Sequence, residues 1–251
     1  MTQIIKPGQT IGIIGGGQLG RMMAIAAKQM GYRIAVLEPT EDSPCGQVAD
    51  VVIKASYNDF EAAKKLAEVS DVITYEFENI DDQTAKWLTE QADFPQGANV
   101  LAITQDRLAE KEAIQSLGIA LAPFHPVRSL EDVEQAGEKL GFPAVLKTSR
   151  GGYDGKGQRV VHDLEQLQEA AKELLESGDC VLEAWIPFQC ELSVIVTRSR
   201  NGETAVFPVV ENEHRNNILY RSHVPARVSE EVCETALICC SNCDVSQPSI
   251  V

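Results

Sequence analysis

Apolar residues in this chain recur in short runs separated by polar stretches and glycines, and the spacing of those runs divides the first part into alternating strands and helices. Thr10–Ile14 reads as a buried strand. The run Gly15-Gly16-Gly17-Gln18-Leu19-Gly20 then opens a helix whose apolar face should include Leu19, Met22, Met23, Ile25 and Ala26, with Gly31 as its stop. Arg33–Leu37, Val51–Ile53 and residues 71–75 read as further strands. Between the last two, Asn58 with Glu61 three positions on predicts a capped helix, with Phe60, Ala63, Leu66 and Ala67 facing inward. Strands that alternate with helices predict a parallel, doubly wound sheet of Rossmann-like type.

Residues 100–103 form a fifth strand candidate, and Thr104 is placed to cap a helix running to Leu117, which Gly118 would stop. A boundary at 118/119 follows, giving a first domain over 1–118 and a second over 119–237. The second begins with a helix capped at Ser129, a strand at Ala144–Thr148, a glycine-rich loop, a returning strand at 159–161 and a helix from Asp163. Residues 180–184, 191–197 and 204–210 are rich in β-branched residues, and Asn201-Gly202 supplies a hairpin turn. The second domain is therefore expected to be mixed α+β.

Composition narrows the functional classes. With 251 residues and 44% hydrophobic positions, the chain is long enough for a sizeable core, and no apolar run approaches the roughly 20 residues of a membrane-spanning helix. No basic segment followed by an apolar stretch opens the chain, so a cytoplasmic location is expected. A net charge of -15 argues against a nucleic-acid groove, which needs clustered Lys and Arg. The seven cysteines are irregularly spaced and read as reduced thiols; Cys240 and Cys243 have C-x-x-C spacing, with no second ligand pair to complete a zinc site.

Two glycine motifs carry chemistry. Gly15-x-Gly17-x-x-Gly20, between a strand and a helix, fits a dinucleotide fingerprint, and Glu38 ends the next strand where a ribose-binding acid would sit. The physics of that motif is anion capture by backbone amides at a helix N-terminus, which leaves a nicotinamide or flavin cofactor, another phosphorylated ligand and a plain structural turn all open. The second motif follows Lys147: Arg150-Gly151-Gly152-Tyr153-Asp154-Gly155-Lys156-Gly157-Gln158 joins two strands as a flap. Its amides, with Lys147 and Lys156, suit a polyphosphate, although a mobile surface hairpin is the plain alternative. It is not a Walker loop, because Arg150 stands where the first glycine belongs and Gly157 replaces Ser or Thr.

The flap string 147–158 closely resembles that of the ATP-grasp ligases called 5-(carboxyamino)imidazole ribonucleotide synthases, the ATPase subunit of phosphoribosylaminoimidazole carboxylase. Residues 15–22, 42–50, 74–79, Thr104-Gln105-Asp106-Arg107 and 211–217 resemble the same family, in family order. The resemblance implies a pre-ATP-grasp domain that binds a ribonucleotide, followed by an ATP-grasp domain. For ATP it implies Arg107, Lys147, Gly152, Tyr153, Asp154, Gly155, Lys156, Gly157 and Gln158 around the phosphates, Glu183, Ala184, Trp185 and Ile186 at the adenine, Glu191 at the ribose, and His214 nearby. For 5-aminoimidazole ribonucleotide it implies Gly17, Gln18 and Leu19 at the phosphate, Glu76, or alternatively Glu78, at the ribose, and Tyr153 and Asp154 at the imidazole. Lys147, Tyr153 and Asp154 are the expected catalytic residues. From residues alone, Glu183 and Glu191 could equally be solvated strand charges and His214 a turn residue.

The implied reaction is ATP-dependent carboxylation of the ribonucleotide amine by bicarbonate, through carboxyphosphate, in purine biosynthesis. It is a ligase reaction with ATP and magnesium, small-molecule substrates, no nucleic-acid or membrane partner, and a homodimer in the family. The family's magnesium ligands follow the last matching block, 211–217, which already contains Asn212-Glu213, so no metal ligand is assigned. The likeness stops near Ile238, and 238–251 reads as an unrelated tail of a truncated chain, for which little ligase turnover is expected. The rival readings are an NAD(P)-dependent oxidoreductase, resting on the first glycine motif and Glu38, and a nucleotide-binding module without catalysis.

Overall fold

The computed structural model describes residues 4–152, 155–199 and 201–242; Tyr153, Asp154 and the tail from Cys243 lie outside them. Contacts divide the chain into two compact units between Thr104 and Gln105. No helix among the described residues is long and apolar enough to cross a membrane.

The first unit runs β1 (Thr10–Ile14), α1 (Gln18–Gln29), β2 (Arg33–Leu37), β3 (Val51–Ile53), α2 (Phe60–Val69), β4 (Val72–Tyr75), α3 (Asp82–Gln91) and α4 (Gly97–Thr104). The sheet has the order β3-β2-β1-β4, and its strands are parallel, as expected. Successive side chains point to opposite faces, so Ile13, Ile34 and Val36 pack against Ala24 and Cys45, while Ile14, Leu37 and Ile73 pack against Leu66, Leu88 and Leu101. Each such Leu or Ile contributes about 1.5–3 kcal/mol by leaving water.

Three local expectations are corrected here. In α1 the buried positions are Gly20 and Ala24, and Leu19, Met22, Ile25 and Ala26 are exposed. The helix lies so close to the preceding loop that a Cβ at Gly20 would sit 2.6 Å from the Gly15 carbonyl oxygen, so only small residues fit that face. The cap of α2 is Asp59, whose carboxylate accepts from the Ala62 amide, and Phe60 sits at the rim, edge-on to Trp87 at 5.3 Å. Residues 100–103 are helical, in α4, because Leu101 is fully buried beside α3 rather than at a sheet edge. The helix α3, capped by Asp81, went unread in the sequence.

The second unit runs α5 (Arg107–Ser116), β5 (Phe124–Val127), α6 (Asp132–Leu140), β6 (Ala144–Thr148), β7 (Gln158–Val161), α7 (Leu164–Leu174), β8 (Cys180–Ala184), β9 (Glu191–Ser193), β10 (Val196–Arg198), β11 (Thr204–Val206), β12 (Val210–Arg215), β13 (Ile218–His223) and α8 (Glu230–Asn242). An antiparallel sheet of order β5-β8-β6-β7 carries α6 and α7 over a core of Val127, Val133, Leu146, Leu167 and Leu182. Thr104 does not cap α5, because its hydroxyl donates back to the Val100 and Leu101 carbonyls. Asp106 is the cap, accepting from the Leu108 and Ala109 amides. Asp106 and Arg107 also bond the start of the flap, which draws α5 into this unit and moves the boundary ahead of the expected 118/119.

Ser129 bonds Asp132 instead of capping α6, whereas Asp163 caps α7 as expected. The run 191–197 splits because β9 pairs with β12 while β10 pairs with β11. Asn216 and Asn217, both at positive φ, turn β12 into β13. The expected tail begins inside α8, which continues through Ile238, Cys239 and Cys240.

Candidate functional site

The glycine loop after β1 closes on two acids of its own unit. The Gly16 amide donates to Glu38 Oε2 at 2.6 Å, the Gly17 amide to Glu76 Oε1 at 2.8 Å, and the Gly20 amide to Glu76 Oε2. Gly15 has φ +104°, and a Cβ there would collide with Glu76 and Phe77, so the approach of β4 to the loop requires glycine. Glu38 is 5% exposed and also accepts from the Thr40 amide and the Tyr57 hydroxyl. Burial disfavours its charge, but hydrogen bonds from Tyr57, Thr40 and Gly16 outweigh that cost and hold its pKa below the usual carboxylate value. The Tyr57 phenol is pushed up, first by burial and then by Glu38.

Glu38, the acid behind the dinucleotide reading, thus commits its carboxylate to the loop itself. The amides of the first helical turn have no intrahelical partner; that of Gly20 is taken by Glu76, and Gln18 and Leu19 are exposed residues. A cavity of about 280 Å³ beside the loop is lined by Gly16, Gly17, Glu38, Tyr57, Glu76 and Phe77. Gly17 and Glu76 are therefore together, and Glu78 is not part of that lining.

The flap is built with the opposite polarity. Arg107, on the first turn of α5, donates to the carbonyls of Thr148 (2.8 Å), Gly151 (2.5 Å) and Gly152 (3.1 Å). The Arg107 amide bonds the Ser149 carbonyl, and Asp106 accepts from Ser149 Oγ at 2.6 Å and Arg150 Nε at 3.2 Å. Burial opposes the Asp106 charge, but the bonds from Ser149, Ala109, Leu108 and Arg150 keep its pKa low. Gly152 has φ +78°, and a Cβ there would lie 2.6 Å from the Lys156 carbonyl oxygen. The amides of Gly152 and Gly157 have no acceptor among the described residues, while Arg150 forms an isolated antiparallel bridge with Asp106. Lys156 lies exposed between them.

Beyond the flap base, Lys147 on β6 reaches Glu183 on β8, Nζ to Oε2 at 2.9 Å, and Lys111 on α5 reaches the other oxygen at 3.2 Å. In the segment 184–186, the Ala184 amide bonds the Pro123 carbonyl and the Trp185 amide the Pro143 carbonyl, while the amide of the exposed Ile186 has no acceptor among the described residues. Glu191 Oε2 meets His214 Nδ1 at 2.6 Å. Both line a cavity of about 630 Å³ with Gly155 and Gln158 of the flap, Cys190 and Asn212. The structure thus gathers Gly155, Gln158, Glu191 and His214 at one hollow and Lys147 with Glu183 at one ion pair.

Among the described residues no group of three or more His, Cys, Asp or Glu gathers as a metal site. Asn212 is held between Ser193 and Ser222, and Glu213 pairs with Arg215. Two residues with clear roles were not singled out from sequence. Asp106 could have been found as an N-cap candidate directly before a helix. Lys111 follows Arg107 by one helical turn, the i,i+4 spacing that sets two cations on one face.

The ribonucleotide synthetase preATP-grasp domain family matches residues 8–105, and the ATP-grasp domain family matches residues 112–243. N5-carboxyaminoimidazole ribonucleotide synthase of Bacillus subtilis is 59% identical over 234 residues, covering 93% of this chain and 61% of that protein. A solved N5-carboxyaminoimidazole ribonucleotide synthetase in complex with ADP superposes with a TM-score of 0.93 at 54% identity, over 98% of this chain and 65% of its own. The Aspergillus clavatus enzyme, in complex with ADP and 5-aminoimidazole ribonucleotide, gives 0.85 at 27% identity, over 94% of this chain and 62% of its own. This chain thus spans a little over three-fifths of the length of these relatives. With more than half of its length matched by one domain family, the chain belongs to the ATP-grasp family.

Proposed function

We propose that this chain provides the ribonucleotide-binding and ATP-binding units of a carbon–nitrogen ligase that carboxylates 5-aminoimidazole ribonucleotide with bicarbonate in purine biosynthesis. The observation that carries the proposal is the flap: Arg107 holds its carbonyls, and the Gly152 and Gly157 amides have no acceptor among the described residues, beside a hollow lined by Gly155, Glu191 and His214. That arrangement suits a nucleotide. Flap amides and Lys147 take phosphate oxygens, the open Ile186 amide and Glu183 meet the adenine edge, and Glu191 accepts from ribose hydroxyls. The first unit takes the ribonucleotide, its phosphate on the Gln18 and Leu19 amides and its ribose on Glu76.

Phosphoryl transfer to bicarbonate needs positioning and charge neutralisation more than acid–base chemistry, which fits a site of lysines and amides. The carboxyphosphate so formed is labile, and a closing flap excludes water from it. Tyr153 and Asp154 are assigned to the imidazole from the family flap. Magnesium is the family's expected ion. The same proposal makes the protein a cytoplasmic enzyme, homodimeric as in its family, with small-molecule substrates.

Calorimetric titration tests it. ADP should bind at one site per chain, Lys147→Ala should weaken it by about tenfold or more through loss of a charge-assisted phosphate contact, and NADH should not compete. Binding of NADH without response to ADP would overturn the proposal in favour of an oxidoreductase.

A further inference from the structure

Helix α5 presents two cations one turn apart, and only one of them holds the flap. Arg107 grips the flap carbonyls, while Lys111 runs to Glu183, 13% exposed in its side chain, with Nζ also 5.6 Å from the Phe124 ring centroid. Glu183 is itself 9% exposed and carries one lysine on each carboxylate oxygen: Lys111 on Oε1 and Lys147 on Oε2. Nearby Glu110 is a further charged group, its pKa raised by burial and by Glu183 against the pull of Lys111 and Arg107.

This doubling matters for Lys147. If Lys147 were the sole partner of Glu183, turning its ammonium toward a phosphate would strand a nearly buried carboxylate, and breaking such a pair from one side is strongly unfavourable. With Lys111 in place, Glu183 keeps a cation whichever way Lys147 points. We infer that Lys111 is a positioning residue: by staying on Glu183 it releases Lys147 to the nucleotide phosphates. The inference rests on the nucleotide site proposed above, and it adds a residue that touches neither flap nor ligand.

The experiment titrates ADP and adenosine into the wild-type chain and into Lys111→Met, Glu183→Gln and the double variant. Adenosine lacks the phosphates, so the ratio of the two affinities isolates what Lys147 contributes. Lys111→Met should weaken ADP by about tenfold or more, because Lys147 is now drawn fully onto Glu183. Adenosine should change by no more than about threefold. Restoring neutrality with Glu183→Gln in the Lys111→Met background should return the ratio to that of Glu183→Gln alone. A merely structural lysine would lower both affinities together, and that result overturns the inference, as does an unchanged ratio or a double variant that is not rescued. Should Lys111→Met fail to fold, Lys111→Gln takes its place, since it keeps a polar neighbour for Glu183 without the charge, and the same fall in the ratio is expected. Wild-type protein that binds neither ligand would remove the nucleotide site itself, whereas normal wild-type binding with an unmoved ratio in Lys111→Met removes only the role of Lys111.

Discussion

The loop after β1 and the flap after β6 are both glycine-rich, and both join a strand to a following element, yet their internal partners have opposite charge. In the first, Glu38 and Glu76 accept the amide hydrogens of Gly16, Gly17 and Gly20. In the second, Arg107 donates to the carbonyls of Thr148, Gly151 and Gly152. A glycine loop offers an anion its N–H groups, so an internal carboxylate consumes what an internal guanidinium leaves available. The sign of the side chain folded against a glycine loop therefore tells more about its ligand than the number of glycines in it.

Removing Arg107 should break the contrast most visibly. Three bonds from one charged group to carbonyls, each typically worth about 1.5–3 kcal/mol and not additive, predict that Arg107→Ala weakens ADP binding by about 100-fold. Arg107→Lys should recover only part of this, because a single ammonium cannot bridge three carbonyls as a planar fork does. Arg107 could instead act by touching phosphate alone. Hydrogen exchange without nucleotide separates the two: loss of the anchor should speed exchange at Thr148 and Ser149, whose amides bond Gly157 and Asp179. Unchanged exchange would show that the guanidinium does not shape the flap.

Deleting the acid tests the other loop, with a smaller effect on stability rather than on binding. Glu38→Ala leaves the Gly16 amide and the Tyr57 hydroxyl without their buried acceptor, at a cost of about 2–3 kcal/mol in urea unfolding of the first unit. Glu38→Gln keeps an acceptor and should lose less. Because Glu38 has a lower pKa folded than unfolded, its contribution is fully present above the unfolded carboxylate value of roughly 4.3 and disappears as pH falls through the folded value. Wild-type stability should therefore drop more steeply than that of Glu38→Ala below about pH 4. Parallel curves would mean that the carboxylate charge does not hold this loop.

How far the sequence revealed these structures depends on the range of the interactions. The parallel sheet was legible because Thr10–Ile14 and Arg33–Leu37 are apolar runs that need no partner to be recognised. The buried face of α1 was not, because hydrophobic pattern favours Leu19, Met22 and Ile25, while close approach to the loop selects Gly20 and Ala24. Thr104 and Asp106 are both acceptable caps by local chemistry, and the choice is made by Ser149 and Arg150 from beyond β6. For the candidate site, the flap follows a motif block, but the pairings of Glu191 with His214 across β9 and β12 and of Lys111 with Glu183 across α5 and β8 leave no mark in their own segments.

Cysteine reactivity offers the mildest test, because each region carries its own thiol. Cys45 lies fully buried under the first loop, where burial, then Glu76 and Glu38, push its pKa up to about 11. At pH 8 only about one part in a thousand of such a thiol is thiolate, the reactive form, so iodoacetamide should not modify it until the unit unfolds. Cys190 is exposed and lines the hollow beside the flap, so it should react in the folded protein. Saturating ADP should then slow Cys190 by about fivefold, since a ligand in a pocket covers most of the groups that line it. Cys239, exposed on α8 and away from that lining, supplies the control for any direct effect of ADP on the reagent. Protection of Cys190 without protection of Cys239 would place the nucleotide beneath the flap, and equal rates with and without ADP would remove it from there.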